Sequence, residues 1–444
     1  MAFNGVYSRQ RQQETKPRDL QTDHECLDRK RCELALLNSC LSTPLLLLRP
    51  KSCAAALELK FYLAARLKAD QLLARWSVTE TARPPSKREY AGPFAFSFGY
   101  QRADLEVCGP PIYPSLQRHS PGCHESTIYT SSGMSAIAAL LTASLQCKET
   151  IDVVAAADCY GETCELFRSF GPRIRVAPPV DACAPALDPA TVRILWLDSS
   201  THSYCDQALE TEKSVDLVAL DTTCFWRGSL KIKRTVRHAL RAGIPAALVR
   251  SHAKLDNLGI EYGRLGSVVL VAPPSGVIST AKWTSELPSK VRDAVRLLGV
   301  APVLAHFPPF ERGSDYQACS ALRTAAIVRS TRRLARGLIS RWPATKLKTF
   351  QHGLYVTIFT GDATIDEARM AADELATALA AHNLPARHAG SFGFDFVAID
   401  GYSNPVDGCA LRICGGDIPP DLSEEIGYRI PDLLRSSRHL ADPA

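Results

Sequence analysis

Short, continuous apolar runs recur through the middle third of this chain, and helix-forming segments separate one run from the next. The runs cover residues 151–157, 174–177, 193–198, 217–221, 246–250 and 268–272. Continuous rather than alternating hydrophobicity is typical of strands that are covered on both faces. The alternation of such strands with helices predicts an α/β fold with a mostly parallel sheet flanked by helices. Ligand sites in this class lie at the carboxyl ends of the strands.

The flanking regions follow other patterns. The first 52 residues are polar and predict an irregular or partly helical extension, whereas residues 54–76 predict one amphipathic helix. Beyond about residue 300 we expect shorter elements, namely a helix near 318–342, a strand at 353–360, a helix at 365–382 and strands around 394–400 and 410–414. The predicted domains are therefore an N-terminal extension and helix contacting a partner subunit over 1–105, a large α/β domain over 106–300 and a small C-terminal α+β domain over 301–444.

Composition excludes several classes of protein. The 444 residues are 46% hydrophobic and 22% charged, as in an ordinary globular protein with a large core. No apolar run approaches the roughly 20 residues that span a bilayer, and no apolar segment typical of a secretory signal follows the start, so we expect a cytoplasmic protein without membrane contact. The net charge of +6 is not gathered into one block, which gives little support for nucleic-acid binding.

Cysteine and histidine give no clear metal site. The fifteen cysteines are irregularly placed without a C-x-x-C pair, and we interpret them as reduced thiols. The nearest approach to a metal cluster is formed by Cys108, His119, Cys123 and His124. Because their spacing fits no standard zinc pattern, we expect no metal.

A glycine-containing turn opens one of the predicted helices. Ser132, Gly133 and Met134 precede a segment with helical apolar periodicity. Free N–H groups and the positive end of the helix dipole at such a turn favour a phosphate, and glycine lets the backbone come close to it. The simpler interpretation is an ordinary N-cap.

Polar residues also follow two of the predicted strands. Asp221 and Thr223 lie at the end of one strand, where the carboxylate could pair with a heterocyclic N–H, although a cap or turn is the commoner role. Ser251 and Lys254 follow the next strand. A lysine just past a strand end can form a Schiff base once its pKa is lowered, although most lysines are solvated surface residues.

Taken in order, these parts resemble the fold-type-I pyridoxal-phosphate enzymes, and specifically the Cys/Met-metabolism family of cystathionine synthases and lyases and methionine γ-lyase. The resemblance covers roughly residues 95–420 and implies pyridoxal 5′-phosphate as cofactor. It assigns Ser132, Gly133, Met134 and Ser251 to the phosphate, Asp221 with the supporting hydroxyl of Thr223 to the pyridine nitrogen, and Lys254 to the Schiff base. Tyr160, within Asp158–Thr163, would stack on the ring; the alternative is a core tyrosine at a turn.

Other positions match the family less closely. Asp198 and His202 stand where the family has Glu and Asn, so that His202 would donate to the phenolic oxygen of the cofactor or be a structural histidine. Ala253 replaces a threonine whose hydroxyl binds phosphate, and a loss on the order of 1 kcal/mol is expected. Arg250 or Tyr113 could compensate for that loss.

The resemblance further implies an obligate oligomer and a substrate site. Tyr100 and Arg102 match a Tyr-x-Arg pair that reaches the neighbouring subunit's cofactor phosphate, which implies a homodimer or homotetramer. Tyr100 also belongs to the expected substrate site. In the small domain, Ser391 and Arg412 match residues that bind the substrate carboxylate, for which a bidentate guanidinium is suited.

The reaction expected from this resemblance is elimination from a small α-amino acid. Lys254 would remove and return protons, and Tyr160 would protonate a leaving group. We expect a lyase that expels a γ-substituent, in its narrowest form during biosynthesis of an amino acid with a vinyl or alkynyl side chain. The alternatives are γ-replacement, as in cystathionine synthesis, β-elimination of a sulfur amino acid, and a non-catalytic descendant that keeps the fold as a binding module.

Overall fold

The computed structural model describes residues 17–75, 88–117, 123–177, 190–202, 215–273, 282–361, 363–404, 406 and 408–435. The chain forms two compact units. The first comprises the described residues within 71–257 and 261–312. The second comprises the described residues up to Asp70, residues 258–260 and the described chain from Gly313 onward.

Helices occur in both units. In chain order they are α1 (Pro17–Ser39), α2 (Cys53–Leu73), α3 (Gln101–Asp104), α4 (Pro114–Gln117), α5 (Gly133–Cys147), α6 (Gly161–Ser169), α7 (Leu230–Arg241), α8 (Lys282–Leu298), α9 (Gly313–Ile339), α10 (Ile365–Ala381) and α11 (Pro420–Arg435). Several start at side-chain caps, which satisfy the N–H groups of the first turn. At α10, for example, Thr364 and Glu367 form a capping box.

The strands form three sheets among the described residues. They are β1 (Glu89–Ala91), β2 (Phe94–Ser97), β3 (Glu106–Cys108), β4 (His124–Thr130), β5 (Thr150–Ala155), β6 (Ile174–Ala177), β7 (Thr191–Asp198), β8 (Leu217–Asp221), β9 (Ala246–Ser251), β10 (Gly266–Ala272), β11 (Leu347–Thr349), β12 (Tyr355–Phe359), β13 (Ala386–His388), β14 (Val397–Asn404) and β15 (Gly408–Cys414). β1 to β3 form a small antiparallel sheet.

The first unit is built on a seven-stranded sheet in the order β4-β10-β9-β8-β7-β5-β6. Strands β9, β8, β7, β5 and β6 run parallel to one another. Successive residues of β8 point to opposite faces and both faces are buried: Ala219 and Leu220 are each 0% exposed and belong to different apolar clusters. The predicted sheet, covered on both faces, is confirmed.

One strand of this sheet runs against the direction of the others. β10 runs antiparallel to both β9 and β4. β4 was not among the expected strands, because its residues His124–Thr130 lack a continuous apolar run and only its last three residues are buried. The sheet is therefore mostly parallel with one antiparallel strand inside it.

The second unit contains a five-stranded sheet in the order β11-β12-β15-β14-β13. Only β13 and β14 pair in parallel among these strands. Its core contains side chains of α9, α10, α11 and the sheet. This is the α+β architecture expected for the C-terminal part.

The second unit also includes α1 and α2 up to Asp70. The expectation of an irregular or partly helical start agrees with residues 17–39, which form one continuous helix. Lys30 and Glu33 of α1 and Lys60 of α2 are buried in ion pairs with Arg323 and Asp395 of the same unit. These helices are consequently part of the unit's interior, and residues 1–16 lie outside the described part of the chain.

Candidate active site

Three neighbouring parallel strands end at one edge of the seven-stranded sheet, and each carries a polar residue there. The register of β7 and β8 pairs Asp198 with Asp221, and β9 ends at Ser251. The two aspartates are 3% and 8% exposed. The topology of the sheet thus brings together side chains that are far apart in the sequence, at the edge where ligands bind in this class of fold.

The turn that opens α5 lies against the same strand ends. Ser132 is the N-cap of α5, and its Oγ accepts a hydrogen bond from the Ser135 N–H at 3.1 Å. A Cβ atom on Gly133 would lie 2.8 Å from the Ser251 Cβ. A Cβ atom on Gly266 would lie 2.1 Å from the Ser132 carbonyl oxygen. Glycine alone permits this approach, so the first turn of α5, the end of β9 and the start of β10 form a narrow cradle.

The cradle has the chemistry of an anion site. Met134 follows Gly133 in the first helical turn, and both residues are partly exposed. N–H groups of a first turn have no acceptor within their own helix, and the helix dipole is positive at this end. These are the features that bind a phosphate at a helix N-terminus.

Asp221 is held beside the cradle. Its Oδ1 accepts a hydrogen bond from the Thr223 N–H at 2.8 Å, and the Thr223 Oγ1 accepts one from the Ser251 N–H at 3.1 Å. Burial raises the pKa of Asp221 to about 7, and the charge of Asp198 adds to the effect. A cationic N–H group beside this carboxyl would favour its ionised form. The end of β8 is therefore suited to a protonated heterocyclic nitrogen.

Asp198 fixes the start of α6. Its Oδ2 accepts a hydrogen bond from the Tyr160 N–H at 2.8 Å, and its Oδ1 accepts one from the Ser200 N–H at 2.7 Å. Burial raises the pKa of Asp198. Tyr160 is the half-buried N-cap residue of α6. The carboxylate at this position thus binds backbone groups on both sides of the site.

His202 lies next to this segment. Its backbone N–H donates to the Asp158 Oδ2 at 2.9 Å, and the residue is exposed. Its contact with a cofactor stays a prediction. Residues 203–214, which follow it, lie outside the described part of the chain.

Lys254 lies in the turn that follows β9, three residues after Ser251, and is half-buried. The two residues expected to compensate for Ala253 have other partners. Arg250 donates to the Asp256 carboxylate at 2.7 and 2.8 Å, and the Tyr113 hydroxyl lies 2.6 Å from the Thr222 Oγ1. The two side chains are 1% and 0% exposed. The expectation that either replaces the missing hydroxyl at the phosphate is therefore wrong.

Sequence reasoning missed a buried polar network beneath the Lys254 turn. Its members besides Arg250 are polar or charged residues that are at most 4% exposed: Arg227, His252, Asp256, Ser267 and Glu311. The Arg227 guanidinium donates to both Glu311 carboxylate oxygens, at 2.8 and 2.6 Å. The one signal in the sequence was the polar run 250–252 directly after the apolar residues of β9.

Tyr100 and Arg102 lie in the first unit at the start of α3. The Arg102 guanidinium contacts the Tyr100 hydroxyl and lies 5.1 Å from the centre of its ring. Tyr100 is 36% exposed. The two residues contact each other in one chain, and their service to a neighbouring subunit stays a prediction.

Ser391 and Arg412 lie in the second unit. Arg412 is on β15, where its guanidinium donates to the Asp400 Oδ2 at 2.9 Å and lies 5.6 and 5.7 Å from the rings of Tyr355 and Tyr402. Ser391 is half-buried in the loop between β13 and β14. Arg412 thus has a carboxylate partner within the chain, and its role toward a substrate stays a prediction.

The absence of a metal stays a prediction, and His119 of the Cys108 to His124 group lies outside the described residues. In the described part of the chain, one set of three carboxylates lies close enough together to hold a metal ion, namely Glu33, Asp395 and Asp417. Lys30 and Arg323 pair with Asp417 in the same cluster, so ammonium and guanidinium groups already neutralise it.

The cysteines that the structure describes are free thiols. Among the described helices, no helix is both long and apolar enough to cross a membrane.

Comparison with known proteins identifies the architecture. No protein-family model matches the chain, and no curated protein matches it. The structure is similar to CalE6, a methionine gamma lyase from Micromonospora echinospora, with 17% identity, a TM-score of 0.50 and coverage of 80% of this chain and 92% of that one. It is also similar to a cystathionine gamma synthase from Xanthomonas oryzae pv. oryzae in complex with cystathionine, with 17% identity, a TM-score of 0.50 and coverage of 84% and 98%.

A third similar structure is that of a protein described as an O-acetylhomoserine (thiol)-lyase from Campylobacter jejuni subsp. jejuni. The identity is 14%, the TM-score is 0.50, and the match covers 69% of this chain and 81% of that chain. At identities of 14–17% the similarity concerns the fold. The fold-type-I architecture of the Cys/Met-metabolism enzymes, expected from the sequence, is confirmed.

Proposed function

We propose that this chain is a pyridoxal-phosphate-dependent enzyme that acts as a lyase on a small α-amino acid. The observation that carries the proposal is the glycine cradle formed by Gly133 and Gly266, with Asp221 and the Lys254 turn at the same edge of the sheet. A lysine can form the Schiff base with this cofactor, a carboxyl can pair with its pyridine nitrogen, and an anion site can bind its phosphate. The C. jejuni structure of the same fold contains N′-pyridoxyl-lysine-5′-monophosphate.

The residues of the cradle fit the phosphate. The first-turn N–H groups of Gly133 and Met134 and the hydroxyls of Ser132 and Ser251 are the donors that would bind it. The contact distance between Gly133 and Ser251 leaves no room for a side chain there. A small anion approaching the backbone is the ligand for which such a cradle is suited.

The residues around Asp221 fit a pyridine ring. Burial favours the neutral form of this carboxyl, and a protonated ring nitrogen beside it would favour the ionised form. Thr223 holds the carboxyl in place through its N–H. Tyr160 would stack on the ring and His202 would donate to its phenolic oxygen.

Bound pyridoxal phosphate supplies an electron sink for the electron pair that remains when the Cα proton leaves. Lys254 would be the attachment point of the cofactor, and its free amine would be the base that takes this proton. For a γ-substituent, Lys254 would first have to give up that proton before it takes a second one from Cβ, and Tyr160 would protonate the leaving group. In the second unit, Ser391 and Arg412 are proposed to bind the substrate carboxylate.

The preferred reaction is γ-elimination, and γ-replacement is the alternative. Two of the similar structures carry the names methionine gamma lyase and cystathionine gamma synthase, which correspond to these two outcomes. β-Elimination needs only the first proton transfer by Lys254. A narrower form of the proposal, motivated by the unusual residues Asp198, His202 and Ala253, is elimination that leaves a vinyl or alkynyl side chain.

The proposed assembly is a cytoplasmic homodimer or homotetramer. Tyr100 and Arg102 of one subunit would bind the phosphate in the neighbour's site, and Tyr100 would also contact the substrate. Their exposure at the start of α3 leaves them accessible to a second chain.

The first experiment is a visible absorbance spectrum of the purified protein with added pyridoxal phosphate, before and after borohydride reduction. We expect a band that disappears on reduction and a pyridoxyl adduct that mass spectrometry locates on Lys254. Lys254→Ala should lack both, whereas Lys231→Ala, on the outer helix α7, should keep them. A wild-type protein that takes up no pyridoxal phosphate would refute the enzyme proposal and leave a binding module with this fold.

The second experiment separates the reactions. The loaded enzyme is incubated with γ-substituted and β-substituted amino acids, with and without an added thiol, and products are identified by mass spectrometry. A keto acid from γ-substituted substrates supports γ-elimination, and a thioether product supports γ-replacement. Release of sulfide or thiol alone from the whole panel would contradict the vinyl or alkynyl form.

A further inference from the structure

Lys254 lies at the centre of a five-residue turn whose two ends are bonded to each other. The His252 Nδ1 atom lies 2.8 Å from the Asp256 Oδ2 atom. This contact joins the residue two positions before Lys254 to the residue two positions after it. His252 is 2% exposed and Asp256 is 1% exposed, so the bond is shielded from water.

The partners of the imidazole determine where its proton lies. A carboxylate can only accept, so Nδ1 donates to Asp256, and Nε2 accepts from the Ser267 hydroxyl at 2.9 Å. Burial lowers the pKa of His252, which keeps the ring neutral. A neutral imidazole thereby links the Lys254 turn to β10 on one side and closes the turn on the other.

Two arginines hold the Asp256 carboxylate in place. Arg250 donates to both of its oxygens at 2.7 and 2.8 Å, and the Arg227 Nε lies 3.0 Å from Oδ1. Burial alone would raise the pKa of Asp256, but the charges of Arg227 and Arg250 hold it well below its usual value. The Arg227 guanidinium also lies 3.4 Å from the His252 Nδ1, which is longer than the carboxylate contact, so Asp256 sets the tautomer.

The same network reaches the end of β8. The Arg250 Nη1 donates to the Thr222 carbonyl oxygen at 2.7 Å, and Thr222 directly follows Asp221. The contacts therefore form one continuous path from the strand end at Asp221 through Arg250 and Asp256 to His252. Lys254 is carried by the segment that this path closes.

We propose that His252 is a positioning residue: its bond to Asp256 fixes the backbone of the turn and thereby the direction of the Lys254 side chain. The inference rests on the proposed function, in which Lys254 is the attachment point. A turn closed by a buried bond has few alternative backbone conformations, so the amine is presented in one orientation and loses little freedom on reaction.

Two conservative variants separate the two bonds of the imidazole. The amide nitrogen of Asn at 252 takes the place of Nδ1 and keeps the bond to Asp256, whereas that of Gln takes the place of Nε2 and keeps only a contact with Ser267. We expect attachment of added pyridoxal phosphate at Lys254, followed by absorbance and by mass spectrometry after borohydride, to be about tenfold slower in His252→Gln. His252→Asn and the control Ser267→Ala should react at nearly the wild-type rate, with thermal midpoints recorded for all variants.

The outcomes distinguish this inference from the proposed function. Equal attachment rates in His252→Asn and His252→Gln would overturn the positioning role. Failure of the wild type to take up pyridoxal phosphate would refute the proposed function, and hydrogen exchange of the 252–256 backbone amides then tests the bond directly. Faster exchange in the Gln variant than in the wild type and the Asn variant supports the closed turn, and equal exchange in all three overturns it.

Discussion

At the scale of single residues, Asp221 is the group whose charge depends most on its surroundings. Its pKa of about 7 in the folded protein compares with an ordinary value of 3.8. Between these values the folded state binds a proton that the unfolded state has lost, so the free energy of unfolding falls as the pH rises from about 4 to 7 and then levels off. The contribution of Asp221 to the free energy of unfolding of the cofactor-free protein is thus smallest above pH 7.

We therefore predict that Asp221→Asn stabilises the cofactor-free protein at about pH 8, by up to about 4 kcal/mol, and has little effect near pH 4. Asn is uncharged and keeps an oxygen for the Thr223 N–H. Urea unfolding at several pH values measures the difference. The same variant should lose at least about 100-fold in turnover, because the ring nitrogen loses its anionic partner. A variant that is destabilised at pH 8 would contradict the buried-charge argument.

Gly133 offers a second test at this scale. In Gly133→Ala the new Cβ would lie 2.8 Å from the Ser251 Cβ, and relieving that overlap should cost about 1–3 kcal/mol and weaken phosphate binding roughly tenfold. Titration of the cofactor-free protein with pyridoxal phosphate gives the affinity. Gly161→Ala is the matched control, since its Cβ would meet no atom within 4 Å and should leave stability unchanged or slightly higher. Equal affinities in the two variants would argue against the cradle.

In the proposed site, the residues that could be predicted from the sequence are those with a chemically distinctive side chain in a recognisable order along the chain. Gly133, Asp221 and Lys254 were recognisable because a turn glycine, a strand-end acid and a lysine follow one another in a fixed order. The partners beneath them were not recognisable. Arg227 pairs with Glu311, 84 residues away, and no local pattern indicates such a contact.

At the scale of elements, the helices at the start of the chain are held in the second unit by buried charges. Lys60 of α2 donates to the Asp395 carboxylate at 2.7 Å, and Arg323 of α9 donates to it at 2.6 Å. Burial alone would raise the pKa of Asp395, but the charges of Arg323, Lys30 and Lys60 hold it below its usual range. The stabilisation is therefore present above about pH 4 and is lost as the pH falls toward the lowered pKa.

We predict that Asp395→Asn destabilises the protein by about 3–5 kcal/mol at pH 7, because it leaves buried cations without their partner. Chemical denaturation with far-ultraviolet circular dichroism measures the change. The control is Asp152→Asn, which breaks the exposed pair with Arg175 and should cost less than about 1 kcal/mol. Similar losses in the two variants would mean that burial does not determine the strength of these pairs.

Elements with a clear apolar period were predicted closely, and α1 was not. The predicted helix over 365–382 is observed at Ile365–Ala381, and its capping box at Thr364 marks the start in the sequence. α1 lacks such a signal, because Lys30 and Glu33 occupy buried positions that a hydrophobic pattern assigns to solvent. Most of their counter-charges, Asp395, Asp417 and Arg323, come from residues hundreds of positions later, so sequence periodicity could not reveal the buried face.

At the scale of the whole molecule, the proposed site needs more than one chain. The cradle, Asp221 and Lys254 come from one subunit, whereas Tyr100 and Arg102 are proposed to come from its neighbour. In a symmetric dimer with shared sites, each subunit contributes residues to its neighbour's site and receives residues from the neighbour in its own site. One chain can carry a substitution in its own site, and the other can carry a substitution in the residues that it contributes to its neighbour. Every mixed dimer of these two chains should therefore have one intact site.

We predict that Lys254→Ala and Arg102→Ala, each inactive alone, recover about a quarter of wild-type activity after being unfolded and refolded together in equal amounts. Half of the dimers should be mixed, and one of their two sites combines Lys254 of one chain with Arg102 of the other. The control mixes Lys254→Ala with Asp221→Ala. These two residues must come from the same chain, so no dimer in that mixture has an intact site and no activity should return. Recovery in both mixtures would indicate incomplete inactivation of the variants, and recovery in neither would place Arg102 in the site of its own subunit.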